Sequence, residues 1–367
     1  SLSVGTGAED FGPLRSLARG RKFTPRNAPE VFNRGLPEWR TMFWDSRVEL
    51  NFGQFSTPAK DALPTGFTHV LQVQAMFPVT SRTEMRGNKG DRDVFGNINE
   101  IASIDDKDFP AIWQALMHRL LGPDGAKSKA VPSYRQLFRE AFPKTPPDSL
   151  GFQHAAAAIA AYERSAYTLL DSPWDRYLQN ESDALTPAAK RGAILFYGRA
   201  NCVACHSGNL MTDQKHHNLI IPHIGNLAIN ERENDLGRAR ETKNPGDNYK
   251  FRTPPLRNVA ETGPWMHNGL YTTLEGAIQH HLDPIRSFQN YDTRQLTMPE
   301  LKDHVHNSDE DLQKQLATFS EILKTPRHLS KQEMNDLIQF LHALTSPSLH
   351  DLERNVPAQV PSGLLVD

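Results

Sequence analysis

Cys202 and Cys205, in "NCVACHSGNL" (residues 201–210), are the only cysteines in a chain of 367 residues, and His206 follows the second directly. Two thiols at this spacing admit three chemistries, and each requires a different fold around it. A thioredoxin-like redox pair sits beside a βαβ unit. Here the preceding segment, "LTPAAKRGAILFYG", reads as a helix: Thr186 suits the N-cap, Pro187 the first helical position and Gly198 the end. Structural zinc requires four ligands. With no second cysteine pair, His216, His217 or His223 would have to complete the set, at a spacing unlike that of known zinc motifs. Cys-x-x-Cys-His is also the attachment motif for haem c: two thiols add to two vinyl groups, and the adjacent histidine is placed under the iron. The local sequence supports this third reading, with zinc and a redox pair open as alternatives.

A chain wrapped around haem c should be built of helices, and the pattern agrees. Helical spacing of apolar residues marks "DFPAIWQALMHRLL", "PSYRQLFREAFP" (132–143) and "GFQHAAAAIAAYERSAYTLL" (151–170). "FTHVLQVQAMF" starts as a helix that Pro78 breaks. "TLEGAIQHHL" (273–282) reads as a short helix, and "LSKQEMNDLIQFLHAL" as a long one with Ser330 and Glu333 as a capping box. Residues 210–255 read as an irregular excursion, the tail after Pro347 shows no periodicity, and alternating strand patterns are almost absent. The expected fold is mainly α, with long ordered loops. The polar stretch "DSPWDRYLQNESDA" suggests a boundary that gives domains at 1–168 and 169–346, followed by a tail at 347–367.

Charge and hydropathy exclude two classes of partner. The net charge of −2 carries no basic excess for nucleic acid. The longest apolar runs, such as "AAAAIAAY" (155–162), are too short to span a bilayer. The opening "SLSVGTGAED" carries no signal-like segment.

A small electron-carrier cytochrome needs about 100 residues, so the remaining length implies a further role. The chain resembles the bacterial dihaem cytochrome c peroxidase and MauG superfamily. The motifs that carry the resemblance are "RNAP" (26–29), "MFWDSRVE" (42–49), "QAMFPVTSRTEM" (74–85), "NCVACHSG" (201–208), "PPLRNVAETGPWMHNG" (254–269) and "TLEGAIQHH" (273–281). Within the superfamily it is most similar to MauG-like members, including the MbnH type that oxidise a tryptophan on a partner protein.

The resemblance implies two cytochrome c-like helical domains, each with a haem c, and a calcium ion between them. One haem is covalent at Cys202 and Cys205. The family's first Cys-x-x-Cys-His precedes its "RNxP" segment, so the second haem is expected to be attached upstream of Ser1. Glu84 matches the distal acid over that open haem, which moves a proton between peroxide oxygens. Gln74 matches a second polar residue of the distal pocket, and Trp44 the tryptophan that relays electrons between the haems. Asn27, Thr262 and Pro264 match the calcium ligands, one side-chain oxygen and two carbonyls. His206 and His281 are the expected axial ligands of the second-domain haem, with His280 the alternative to His281. Related peroxidases place Met at this position and MauG places Tyr; a second imidazole should lower the reduction potential relative to Met. Arg19 stands where the peroxidases hold a resting-state histidine, so an open, five-coordinate first haem is implied. About twenty extra residues, "VELNFGQFSTPAKDALPTGF", separate "FWDSR" from the Gln74 segment.

The expected activity is that of a periplasmic, peroxide-activated haem oxidoreductase, MauG-like, which forms a high-valent dihaem state and oxidises a residue, such as Trp, on a partner protein. The alternatives are a peroxide-detoxifying peroxidase fed by a small cytochrome or cupredoxin, and a non-catalytic electron-transfer cytochrome c.

Overall fold

The computed structural model describes residues 25–92, 96–225, 234–296, 299–364 and 366. Arg19 lies outside them. The chain is mainly helical, with short strands that pin loops rather than form a layer.

The first half opens on a small antiparallel sheet, β1 (Thr41–Met42), β2 (Val48–Asn51) and β3 (Gln54–Ser56). The extra residues after "FWDSR" therefore begin as a β-hairpin. Its two-residue turn puts Phe52 at φ 49° and Gly53 at φ 80°. Glycine suits such a turn, but an aromatic residue there is strained. Phe52 is also fully exposed, and nothing among the described residues accounts for it. Helices α1 (Val70–Gln74), α2 (Phe109–Leu121), α3 (Tyr134–Ala141) and α4 (Phe152–Tyr167) follow. Each begins where the sequence offers an acceptor or a break: His69 caps α1, Asp108 caps α2, Ser133 caps α3 and Gly151 precedes α4. Trp39, Met76, Trp113 and Phe152 centre the apolar core they enclose.

The second half begins with α5 (Pro173–Leu178), whose Ser172–Asp175 capping box lies in the stretch read as a polar boundary. Helix α6 (Pro187–Tyr197) starts at Thr186, whose side chain accepts from Ala189 N at 3.1 Å. Beyond the cysteine turn, the irregular excursion carries the short strands β4 (His216–His217) and β5 (His223–Ile224), the one-turn helix α7 (Ala239–Thr242) and β6 (Phe251–Arg252). Helices α8 (Leu274–Leu282) and α9 (Pro284–Gln289), strand β7 (Val305–His306), α10 (Asp309–Leu316) and α11 (Lys331–His342) complete the fold. The segment after Pro347, aperiodic by sequence, winds into a 3₁₀ stretch at Pro347–Asn355. No helix among the described residues is long and apolar enough to cross a membrane.

The second core rests on the crossing of α6 and α11. Gly192 allows the close approach: a Cβ there would lie 1.9 Å from the Asp336 carbonyl oxygen and 2.8 Å from Phe340 Cβ. Arg191 clamps the same point, donating twice to Asp336 at 2.8 Å. Phe196 and Trp174 pack on Phe340 with ring centroids 5.1 Å apart in each pair. Replacing Gly192 with Ala must separate two backbones rather than shift a flexible side chain. Gly192→Ala is expected to cost about 2 kcal/mol or more, read as a lower denaturant midpoint; an unchanged midpoint would show that the crossing can relax.

Candidate functional site

The crossing delivers the cysteine motif to the mouth of a deep apolar cavity. Helix α6 ends at Gly198, Asn201 turns the chain at φ 59°, and a 3₁₀ turn at Cys202–Ala204 follows. Phe196, Leu256, Leu274, Ile278, Leu337 and Leu341 supply much of the cavity wall, and Cys202, Cys205, His206 and His281 also face it. Both thiols are free, and burial pushes Cys202 up to about 12. A thiol held protonated in this way is a poor redox nucleophile and a poor zinc ligand.

The zinc alternative fails on assembly. Among the described residues Cys205, Asp213 and His217 form a trio with donor atoms within 4.8 Å, but Cys202 is not part of it. His217 is instead paired with Asp213 at 2.9 Å, which pushes its imidazole up to about 9, with Cys205 adding to the effect. His216 bonds Ser46 Oγ at 2.7 Å, and His223 lies buried against the Tyr249 ring.

The two expected ligand histidines do face one another. His206 Nδ1–H donates to the Met211 carbonyl at 3.1 Å, and His281 Nδ1–H donates to the Ala277 carbonyl at 2.8 Å. A carbonyl can only accept, so each ring carries its proton on Nδ1 and leaves the Nε2 lone pair free. Burial holds both rings neutral, with His206 pushed down to about 4 and His281 lowered. Their ring centroids lie 6.3 Å apart. Two imidazoles on one metal, each bonded at about 2 Å, require a centroid separation of about 6 Å. The donor set, spacing and apolar walls therefore fit a bis-imidazole haem. His280 is differently engaged: Nε2–H donates to the Leu219 carbonyl at 2.8 Å, and Tyr271 Oη donates to Nδ1 at 2.6 Å. With both nitrogens used and the ring absent from the cavity wall, His280 is a satisfied core residue.

A second cavity lies on the other side of Trp44. Gln74, at the end of α1, and Glu84 both line it, as do Asn27, Phe43, Arg47 and Trp44 itself. Glu84 stands in a wide turn whose N–H groups reach back five residues, Arg86 N to Ser81 O at 2.9 Å and Gly87 N to Arg82 O at 3.1 Å. Burial raises its proton affinity, and the nearby Arg47 guanidinium opposes the rise. Trp44 is the wall common to both cavities. Its Nε1–H donates to the Asn27 carbonyl at 2.8 Å, its carbonyl accepts from Arg252 N at 2.8 Å, and its ring meets His267 edge-on at 6.5 Å. His267 in turn stacks on Phe251 with centroids 3.6 Å apart.

Of the expected calcium ligands, two meet. Asn27 Nδ2 donates to the Pro264 carbonyl at 2.7 Å. Turned over, the same carboxamide would aim its oxygen at that point, and side-chain amide and carbonyl oxygens are a donor pair that suits calcium. Thr262 is two residues away along the same loop, its hydroxyl bonded to Val259 O at 3.3 Å.

The sequence reading missed the charge cluster around these residues. Arg26 bonds Asp235 at 2.6 and 2.8 Å and Asp45 at 2.5 Å, so it ties the segment before Asn27 to the excursion of the second half. Asp45 and Arg47 belong to the same "FWDSR" motif as Trp44, and that adjacency was the available signal.

A chain that folds in this way around such a cavity is a c-type haem protein. Residues 3–183 match the family profile of the di-haem cytochrome c peroxidases. The chain is 33% identical over 246 residues to the cytochrome-c peroxidase IdrP1 of Denitromonas iodatirespirans, covering 60% of this chain and 57% of that protein. It is 31% identical over 274 residues to the methylamine utilization protein MauG of Methylorubrum extorquens, covering 74% and 59%. The crystal structure of a MauG-like protein associated with microbial copper homeostasis superposes with a TM-score of 0.56 at 25% identity, covering 95% of this chain and 79% of that one. The chain belongs to the di-haem cytochrome c peroxidase and MauG family. It spans less than two thirds of the length of the two curated relatives.

His267 gives the site a pH signature. Burial pushes it down to about 3, against an ordinary value near 6.5. Between these values the unfolded chain holds a proton that the folded chain does not, so acidification through this window favours unfolding. His267→Gln should make stability between about pH 4 and 6 shallower by about 1.4 kcal/mol per pH unit, measured by denaturation at stepped pH. An identical slope in the variant would show that His267 is protonated in the folded protein.

Proposed function

We propose that this chain works in a periplasmic c-type haem oxidoreductase that is activated by hydrogen peroxide and, like MauG, oxidises a residue on a partner protein. The observation that carries the reading is that Trp44 lines two cavities, one holding Cys202, Cys205, His206 and His281 and the other Gln74 and Glu84.

Bound haem supplies redox-active iron and, where a coordination position is open, a place for peroxide to bind. In this reading Cys202 and Cys205 would hold one haem through their sulfurs, and His206 and His281 would each offer an imidazole nitrogen to its iron. With two imidazoles offered there, that site would suit electron storage and transfer rather than peroxide binding. The cavity of Gln74 and Glu84 serves a second haem, attached through a motif upstream of Ser1. There Glu84 takes a proton from one peroxide oxygen and returns it to the other, while Gln74 orients the peroxide by hydrogen bonding. Trp44, whose indole is oxidisable, carries oxidising equivalents between the cavities. Asn27, Thr262 and Pro264 would hold the calcium, at the point where Asn27 meets the loop that carries His267. The two apolar cores correspond to two cytochrome c-like domains that meet near residue 168.

Glu84→Gln in the loaded protein should slow reaction with peroxide by about 100-fold or more, followed by stopped-flow absorbance; an unaltered rate removes Glu84 from the mechanism. Fast reaction of the fully oxidised protein supports the MauG-like reading, whereas inactivity until half-reduction supports a peroxidase fed by a small cytochrome or cupredoxin. A wholly low-spin ferric spectrum that ignores peroxide would leave only an electron-transfer cytochrome.

The axial assignment has its own test. His281→Ala should abolish the low-spin ferric signal of the Cys202–Cys205 haem, and His280→Ala should retain it. The reverse outcome would exchange the two roles.

A further inference from the structure

Glu84 sits in a wide, solvent-edged turn, and its work in the proposed function demands a fixed direction and a controlled charge. The other cations of its turn are turned elsewhere: Arg82 and Arg86 both pair with Asp106. Among the described residues the cation paired with Glu84 is Arg47, with Nη2 3.7 Å from Oε1. Arg47 is itself immobilised. Its Nη1 bonds both oxygens of Asp45, at 3.4 and 3.2 Å, its backbone N–H bonds Asp45 Oδ1 at 3.1 Å, and its guanidinium lies 3.6 Å from the Phe43 ring centroid. Asp45 is anchored in turn by Arg26. Arg47 precedes β2 directly and follows Trp44 by three residues, so the β1–β2 loop that presents the relay tryptophan also presents the guanidinium.

We propose that Arg47 is the positioning residue for Glu84, holding its carboxylate turned into the cavity it shares with Gln74 and Trp44. This rests on the reading of Glu84 as the proton-transfer group. The charged groups around the cavity support the assignment. Arg26 draws Glu84 toward its ionised form more weakly than Arg47, and Asp45 acts against them. Glu30 is paired with Arg34, and Arg34 also acts on Glu163, so these three offer Glu84 no competing partner. Without Arg47, burial would act on Glu84 with less opposition. Its protonated form would persist to higher pH, and a protonated carboxyl cannot accept a proton from peroxide.

The test uses the fully loaded ferric protein and two readouts. The first is the pH titration of the resting ferric spectrum, assigned to Glu84 by its loss in Glu84→Gln. Arg47→Gln should move that midpoint upward by about one pH unit, and Arg47→Lys should restore most of the difference. The second is the rate of reaction with hydrogen peroxide against pH. Its acid limb should move by the same amount in Arg47→Gln, with the rate at high pH within a few-fold of the parent. A titration insensitive to Arg47→Gln, or a rate reduced by one factor at every pH, overturns the proposal. A Glu84→Gln variant that reacts normally would remove the catalytic reading, while the spectral midpoint would still decide whether Arg47 governs Glu84.

Discussion

Two backbone carbonyls set the chemistry of the cavity that holds the cysteine motif. Met211 and Ala277 each accept the Nδ1 proton of a buried histidine, and that fixes both the tautomer and the direction of the free nitrogen. The α6–α11 crossing at Gly192 positions the turn that carries His206, and α8 carries His281 to the facing wall. Neighbouring His280 is withdrawn by Tyr271 and Leu219, so of the sequence pair only His281 faces the cavity.

Trp44 depends on a different kind of constraint. Its indole N–H is satisfied by Asn27, and Arg252 holds its loop through both the Phe43 and Trp44 carbonyls. Asn27 also receives the loop of Pro264 and His267. The tryptophan is thus bonded directly by two separate parts of the chain, and a third is tied to it through Asn27. Buried ion pairs reinforce the junction: Arg26 spans Asp45 and Asp235, and Arg238 reaches Glu49 at 2.6 Å. Such pairs add little net stability once desolvation is counted, but breaking one leaves an uncompensated buried charge, so they fix geometry more than they add stability.

Helix ends with side-chain caps were legible in the sequence. Thr186 with Pro187, and Ser330 with Glu333, mark their helices where the structure has them. Helices α5 and α10 carry the same devices, Ser172 with Asp175 and Ser308 with Asp311, but over only six and eight residues, too short for periodicity to register. The β2–β3 hairpin was hidden because its turn reads Phe-Gly instead of Asn-Gly. In the candidate site, residue types and spacing marked Cys202, Cys205 and His206. The choice between His280 and His281 was not available, because it depends on where Leu219, Tyr271 and Ala277 lie in space. The charge cluster of Arg26, Asp45, Arg47 and Asp235 was hidden for the same reason: Asp235 is 209 residues from Arg26.

The contrast between the two cavities has a physical logic. A group that only gains and loses electrons is best kept among apolar side chains, where few dipoles must reorient, and the wall of the cavity of His206 and His281 is mostly apolar. A group that moves protons needs ionisable neighbours whose charges balance, because in a low dielectric one uncompensated charge would lock the acid in a single protonation state. The cavity of Glu84 has that composition, with Arg47 and Arg26 set against burial and Asp45. Separating the two environments lets each be tuned without disturbing the other. In the proposed function it also requires a conductor between them that is neither a titrating group nor a mobile one. The Trp44 indole, buried and bonded at its only donor, with its backbone carbonyl held by Arg252, meets both conditions.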